Sequence, residues 1–209
     1  QMCVNGQTEL LPATVPGSVY QDLLDNRKME DPYYRDNELK ALELMDNDFT
    51  YVLSFDVEEE MTERENILLH FDGIDTLAEI FLNGHSLANV NNMHRTWEFP
   101  VKEYLLAGIN ELKLVFFSPT RYIEAEDERK PITGSSDAMR GFPYLRKAHC
   151  MFGWDWGPRL PDAGIWREVM LIAYDEVRLD GAYITQIHEN GKVTLKTRVD
   201  VQKEGEERI

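Results

Sequence analysis

Phe49-Thr50-Tyr51-Val52-Leu53-Ser54-Phe55-Asp56-Val57 is the segment on which the fold reading turns. Phe49, Tyr51, Leu53, Phe55 and Val57 alternate with Thr50, Val52, Ser54 and Asp56. A period of two points one row of side chains at a core and the other outward, as in a half-buried strand. The same period returns downstream in Ile67, Leu69 and Phe71, and again in Trp97, Phe99 and Val101. Leu77 to Leu82 closes on Asn83-Gly84, a dipeptide that tolerates the positive φ of a tight hairpin turn. Asn110 to Phe117 and Ile165 to Tyr174 are denser apolar runs, which suit strands covered on both faces. Short strands with closely spaced turn signals predict an all-β fold, a β-sandwich or jelly roll, rather than a parallel α/β sheet.

Helix is expected to be scarce. Ser18 predicts the N-cap of a short helix through Asp25, with Val19, Leu23 and Leu24 on one face. Two segments, Ala13 to Asp48 and Pro119 to Pro161, break the strand rhythm. The second far exceeds the about 12–15 residues at which structureless connections become unusual. It carries Phe142, Tyr144, Phe152, Trp154 and Trp156, a composition that argues against disorder. A boundary is expected at Asp175 to Leu179. After it, Val193, Leu195, Thr197, Val199 and Val201 alternate with polar residues behind an Asn190-Gly191 turn. About thirty residues cannot close a core of their own. Residues 1–177 are therefore expected to form one domain, and residues 178–209 to open a second β-sandwich that is cut off at Ile209.

Composition narrows the function. The 209 residues are 43% apolar and 29% charged, the profile of a globular chain with room for one good-sized core. No run approaches the roughly 20 apolar residues of a membrane-spanning helix, and no signal peptide is legible from Gln1 onward. The net charge of −16, from 38 acidic and 22 basic residues, disfavours nucleic acid, anionic polysaccharide and acidic membrane surfaces. A neutral ligand meets no such penalty. Cys3 and Cys150 make no disulfide framework, and five scattered histidines show no metal-ligand spacing, so no metal or cofactor is expected.

The richest stretch is His149-Cys150-Met151-Phe152-Gly153-Trp154-Asp155-Trp156-Gly157-Pro158-Arg159-Leu160-Pro161. Gly and Pro fix a loop shape, and the loop presents two indoles with a carboxylate between them. Such a set suits a neutral sugar, whose C–H face lies on an aromatic ring while its hydroxyls donate to the carboxylate. The same residues would equally serve as a plug for the end of a sandwich, with Asp155 capping backbone N–H groups. The acidic clusters Glu58-Glu59-Glu60 and Glu124, Glu126, Asp127, Glu128 read as solvated surface rather than as a facing catalytic pair, which in a retaining glycosidase stands about 5–5.5 Å apart. No nucleophile–base arrangement or phosphate loop appears, so no catalytic residue is assigned.

Val15-Pro16-Gly17-Ser18-Val19-Tyr20, then Asp31-Pro32-Tyr33-Tyr34 and Asn37-Glu38, resemble the opening of β-mannosidases of glycoside hydrolase family 2. Phe71-Asp72-Gly73-Ile74-Asp75-Thr76-Leu77-Ala78, Leu82-Asn83-Gly84 and Asn92-Met93-His94-Arg95 are similar to that family's sugar-binding jelly roll. Phe152 to Pro161 is similar to the β-mannosidase loop, and Gly164-Ile165-Trp166-Arg167-Glu168-Val169 to the family's closing strand. The resemblance covers roughly Leu11 to Val177. Phe49 stands where the family tends to carry Trp, and Lys40 to Asp46 is more polar than the family pattern.

The resemblance implies a galactose-binding-like jelly roll followed by the start of an immunoglobulin-like domain. It implies an exo-acting, retaining parent enzyme that removes terminal non-reducing β-D-mannose from oligosaccharides or glycans. Both catalytic glutamates would lie in a (β/α)₈ barrel of the same parent chain, which needs about 250 residues that are absent here. Asp155 would bind sugar hydroxyls and Trp154 would wall the pocket, with Trp156 and Arg159 supporting the loop. Alternative readings are a free-standing carbohydrate-binding module and another family 2 glycosidase, such as a β-galactosidase or a β-glucuronidase. Localisation follows the source: periplasmic or secreted for a bacterium, lysosomal for an animal.

Overall fold

The alternating segments become strands, and their apolar rows face each other across two antiparallel sheets. The computed structural model describes residues 1–203. One sheet holds five strands, β1 (Met2–Val4), β2 (Phe49–Val57), β4 (Leu77–Leu82), β5 (His85–Asn91) and β7 (Gly108–Phe116), in the order β1-β2-β7-β4-β5. The other holds β3 (Asn66–Phe71), β6 (Trp97–Pro100) and β10 (Val169–Tyr174), in the order β10-β3-β6. Between them lies a core in which Phe49, Phe71, Phe116, Ile67, Ile80, Leu82 and Leu114 are fully buried. At Asn83-Gly84 both residues take positive φ, 50° and 81°, and join β4 to β5 as expected.

Strand density proved a weaker guide than strand period. The run from Asn110 to Phe117 is not covered on both faces: Asn110, Leu112, Leu114 and Phe116 point inward, while Glu111 and Phe117 are exposed. Its outer face is capped by side chains, with the Lys113 ammonium 4.3 Å from the centre of the Phe81 ring. In the run from Ile165 to Tyr174 the strand starts only at Val169, and its residues are half-buried or exposed. Leu53 belongs to the inward row of β2 yet is 50% exposed, because it lines an open cleft with Tyr51, Leu112 and Leu114; Val57, farther along the same row, is buried again.

Helix is more plentiful than expected. α1 (Val19–Asp25) is the predicted one, with Ser18 Oγ accepting from Gln21 N at 3.3 Å. Leu24 is only half-buried; Tyr20 and Asp22 join Val19 and Leu23 inside. The two long segments hold α2 (Asn37–Leu44) and α4 (Pro119–Arg129), and α3 (Glu59–Thr62) is a single turn. Ser118 caps α4 through Arg121 N at 3.1 Å, with Pro119 in the first turn, where its missing N–H costs nothing. The acidic cluster on α4 is not wholly solvated: Asp127 is buried, accepts from Ile132 N at 3.3 Å and pairs with Arg140 at 2.8 Å.

Beneath the second long segment lies a small core of Ile123, Phe142, Leu145 and Phe152. Lys147 ties this segment to the sandwich. Its buried ammonium bonds the Asp75 carboxylate and donates to the Asp162 carbonyl at 2.7 Å. β11 (Val177–Glu189) and β12 (Lys192–Lys203) form a separate two-stranded hairpin around Asn190-Gly191. Residues 204–209 of the expected second domain lie outside the described residues. Cys3 and Cys150 are unbridged.

Candidate functional site

The Gly/Pro-rich loop folds into a miniature hairpin. β8 (Phe152–Trp154) pairs with β9 (Gly157–Arg159), Phe152 opposite Arg159 and Trp154 opposite Gly157. Asp155 and Trp156 are the two turn residues, so the spacing of the glycines places the carboxylate at the tip. The root is fixed from below. Phe152 is fully buried in the small core, Met139 N donates to Phe152 O at 2.9 Å, and Leu160 N donates to Met151 O at 2.8 Å. Gly153 has φ +95°, and a Cβ there would sit 2.5 Å from Arg159 Cγ, so the arginine stem folds over the space that glycine leaves.

The tip is open. Trp154 is 46% exposed and Trp156 72% exposed, with ring centroids 5.4 Å apart and planes at 57°. Asp155 is exposed and makes no hydrogen bond or ion pair among the described residues. The cap reading required Asp155 to hold a backbone N–H, and it holds none there.

A second segment faces the hairpin. Asp31 Oδ1 accepts from Tyr33 N at 2.9 Å, and Asn37 Nδ2 donates to Asp31 O at 3.0 Å, folding Asp31-Pro32-Tyr33-Tyr34 into a turn. Tyr33 is 75% exposed, and Arg35 takes a left-handed φ of 56° with its guanidinium 5.0 Å from the Tyr34 ring centre. This turn and the hairpin enclose a cleft of about 500 Å³, whose lining includes Tyr33, Arg35, Glu38, Asp137 and all of Trp154 to Arg159. The two sides are joined by Glu38, whose Oε1 accepts from Arg159 N at 3.2 Å and from Arg159 Nε at 2.7 Å. The cleft offers aromatic faces and a free carboxylate, groups of the kind that can hold and orient a polyhydroxyl ligand.

All four residues singled out in the sequence, Trp154, Asp155, Trp156 and Arg159, meet in this cleft. Arg159 braces the loop. Trp156 stands out at its tip against Trp154. Sequence reasoning passed over Tyr33, Arg35, Glu38 and Asp137 as site residues. The signal for the first three lay in the Asp31-to-Glu38 motif, but no linear spacing couples positions 121 residues apart.

Residues 2–167 match the family model described as glycosyl hydrolase 2 galactose-binding domain-like. The chain is 33% identical over 211 residues to a β-mannosidase of Mus musculus, covering 94% of this chain and 24% of that protein. It is 36% identical over 168 residues to β-mannosidase B of Aspergillus terreus, covering 78% of this chain and 20% of that one. The crystal structure of a β-D-mannosidase from Dictyoglomus thermophilum superposes with a TM-score of 0.90 at 33% identity, across 97% of this chain and 25% of the other. An exo-chitosanase of Amycolatopsis orientalis shares the fold, with a TM-score of 0.71 at 18% identity over 98% of this chain and 23% of that one. The chain thus spans about a quarter of the length of the relatives it matches.

Proposed function

Since the chain belongs to the glycosyl hydrolase 2 galactose-binding domain-like family, we propose that it supplies one wall of the sugar pocket in a longer, retaining exo-β-mannosidase. That enzyme removes terminal non-reducing β-D-mannose from oligosaccharides and glycans, with both catalytic glutamates in a barrel domain outside these 209 residues. Asp155 accepts hydrogen bonds from hydroxyls of the terminal mannose, and Trp154 walls the pocket. One observation carries this reading: an unpaired carboxylate at the tip of a braced hairpin, between two exposed indoles. An internal cap would be bonded, and a core plug would be covered. The identity to β-mannosidases over most of the chain supports mannose over galactose. The acid at the tip counts against a glucuronide, whose own carboxylate it would repel.

Asp155→Asn in the full-length enzyme tests the assignment. The substitution keeps shape and removes the charge that strengthens the sugar hydrogen bonds, worth about 1.5–3 kcal/mol. At about 1.4 kcal/mol per decade, kcat/KM should fall roughly 10-fold to 150-fold. Part of the loss should fall on kcat, because the ring distorts toward an oxocarbenium-like transition state. The melting temperature should hold. Unchanged kinetics with a lowered melting temperature would show the loop to be structural.

A further inference from the structure

We propose that Glu38 is a positioning residue for the sugar site, holding the Asp155 turn in place through Arg159. A two-stranded hairpin with three residues per arm is marginal on its own. Its root is buried at Phe152, but β9 is gripped by one carboxylate oxygen that takes both the backbone N–H and the Nε–H of Arg159. Two donors from one residue on one acceptor fix the strand and its side chain together. The anchor is itself rigid. Glu38 sits in the first turn of α2, where the helix N-terminus favours an acid. That helix is docked by buried Ala41, whose carbonyl accepts from Tyr20 Oη at 2.8 Å. The Glu38 and Arg159 side chains are 25% and 43% exposed, and ion pairs this wet add little to global stability. What the pair does fix is where the hairpin stands relative to the Tyr33–Arg35 rim of the cleft. Misplacing a site group by about 1 Å costs on the order of 100-fold in rate.

This inference rests on Asp155 being a sugar ligand, and the experiment separates the two. In the full-length enzyme, Glu38→Ala should lower kcat/KM for an aryl β-mannoside about 10-fold to 100-fold. Glu38→Gln keeps an acceptor for the Arg159 N–H and should recover part of that loss. Hydrogen exchange should quicken in a peptide spanning residues 152–160 and stay unchanged elsewhere, with an unaltered melting temperature. In the Glu38→Ala, Asp155→Asn double variant the combined loss should fall short of the product of the two single losses, since both changes act chiefly on one side chain. Wild-type kinetics in Glu38→Ala beside an impaired Asp155→Asn would overturn the positioning role alone, and so would losses that multiply in the double variant. Exchange that rises throughout the chain would make Glu38 a stability residue. An unimpaired Asp155→Asn would overturn the sugar-site reading and the positioning role together.

Discussion

Gly164 shows how a single position ties the chain that follows the hairpin to the sandwich. Its N–H donates to Asp75 O at 2.8 Å and its carbonyl accepts from Asp75 N at 2.9 Å, while its φ of +148° is closed to side-chain-bearing residues. A Cβ there would stand 2.9 Å from Ser18 Cα and 3.0 Å from Gly17 O. Both are backbone atoms, so no rotamer change relieves the clash. Gly164→Ala should therefore destabilise the chain by about 2–4 kcal/mol, read as a lowered urea midpoint; a midpoint within error of wild type would contradict the contact. Gly153 poses a different problem, because the atom a Cβ would meet is the flexible stem of Arg159. Residues of this kind divide by how openly the sequence announces them. Trp154 and Asp155 were legible because Gly, Pro and Trp crowd together around them. Glu38 was not: one glutamate in a polar stretch gains its role from a partner far along the chain.

At the scale of elements, strands were legible wherever one face is buried and the other wet, since that contrast produces the period of two. Helices α2 and α4 were hidden for the opposite reason. α4 buries Pro119, Thr120, Ile123 and Asp127, a stripe at four-residue spacing in which only Pro119 and Ile123 are apolar, and α2 buries Ala41 alone. Burial of so little apolar surface leaves no helical period in the hydropathy. Packing between elements also carries a pH dependence. His70 on β3 bonds Asp72 at 3.0 Å and Glu98 on β6 at 2.9 Å, and Arg178 on β11 grips both oxygens of Glu98 at 2.9 and 2.6 Å. Burial alone would lower the His70 pKa, but the two carboxylates outweigh it and hold it above its ordinary value. The Arg178 guanidinium, aided by His70 and opposed by burial, holds the Glu98 carboxyl below the usual range. The histidine contribution is full below its unfolded pKa of about 6.5 and fades as pH rises through the raised folded value. The glutamate contribution is full above about pH 4.3 and fades as pH falls through the lowered folded value. The network should thus be strongest between about pH 4.3 and 6.5. Protection from hydrogen exchange of β3 and β6 amides, whose strands the His70–Glu98 pair joins, should decline from pH 6 to 8 after correction for intrinsic rates. His70→Gln should flatten that decline; an equal decline in the variant would assign it to other groups.

Over the whole molecule, the two parts of the chain differ in how they treat apolar surface. The sandwich hides its apolar rows, whereas one face of the β11–β12 hairpin lines up Leu179, Ile184, Leu195, Val199 and Val201, all at least half exposed. We propose that this face is the inner surface of a second, immunoglobulin-like sandwich beginning at residue 178; the matched relatives are about four times the length of this chain. The cleft proposed to bind sugar has the same incompleteness. Its rims are Tyr33, 75% exposed, and Trp156, 72% exposed, whereas working ligand sites enclose about 70–90% of the ligand surface. Binding at 1 mM requires about −4.1 kcal/mol after the freedom lost on association, itself at least about 4 kcal/mol. Hydrogen bonds to Asp155 worth about 1.5–3 kcal/mol, with one partly used aromatic wall, do not reach that sum. The isolated 209-residue chain should therefore give no calorimetric titration with mannose at or below millimolar concentration, and no hydrolysis of an aryl β-mannoside above background. A clear submillimolar titration would instead make the domain a carbohydrate-binding module in its own right. Turnover that survives removal of contaminating enzyme would place the catalytic carboxylates within these residues, against the assignment to a barrel beyond them.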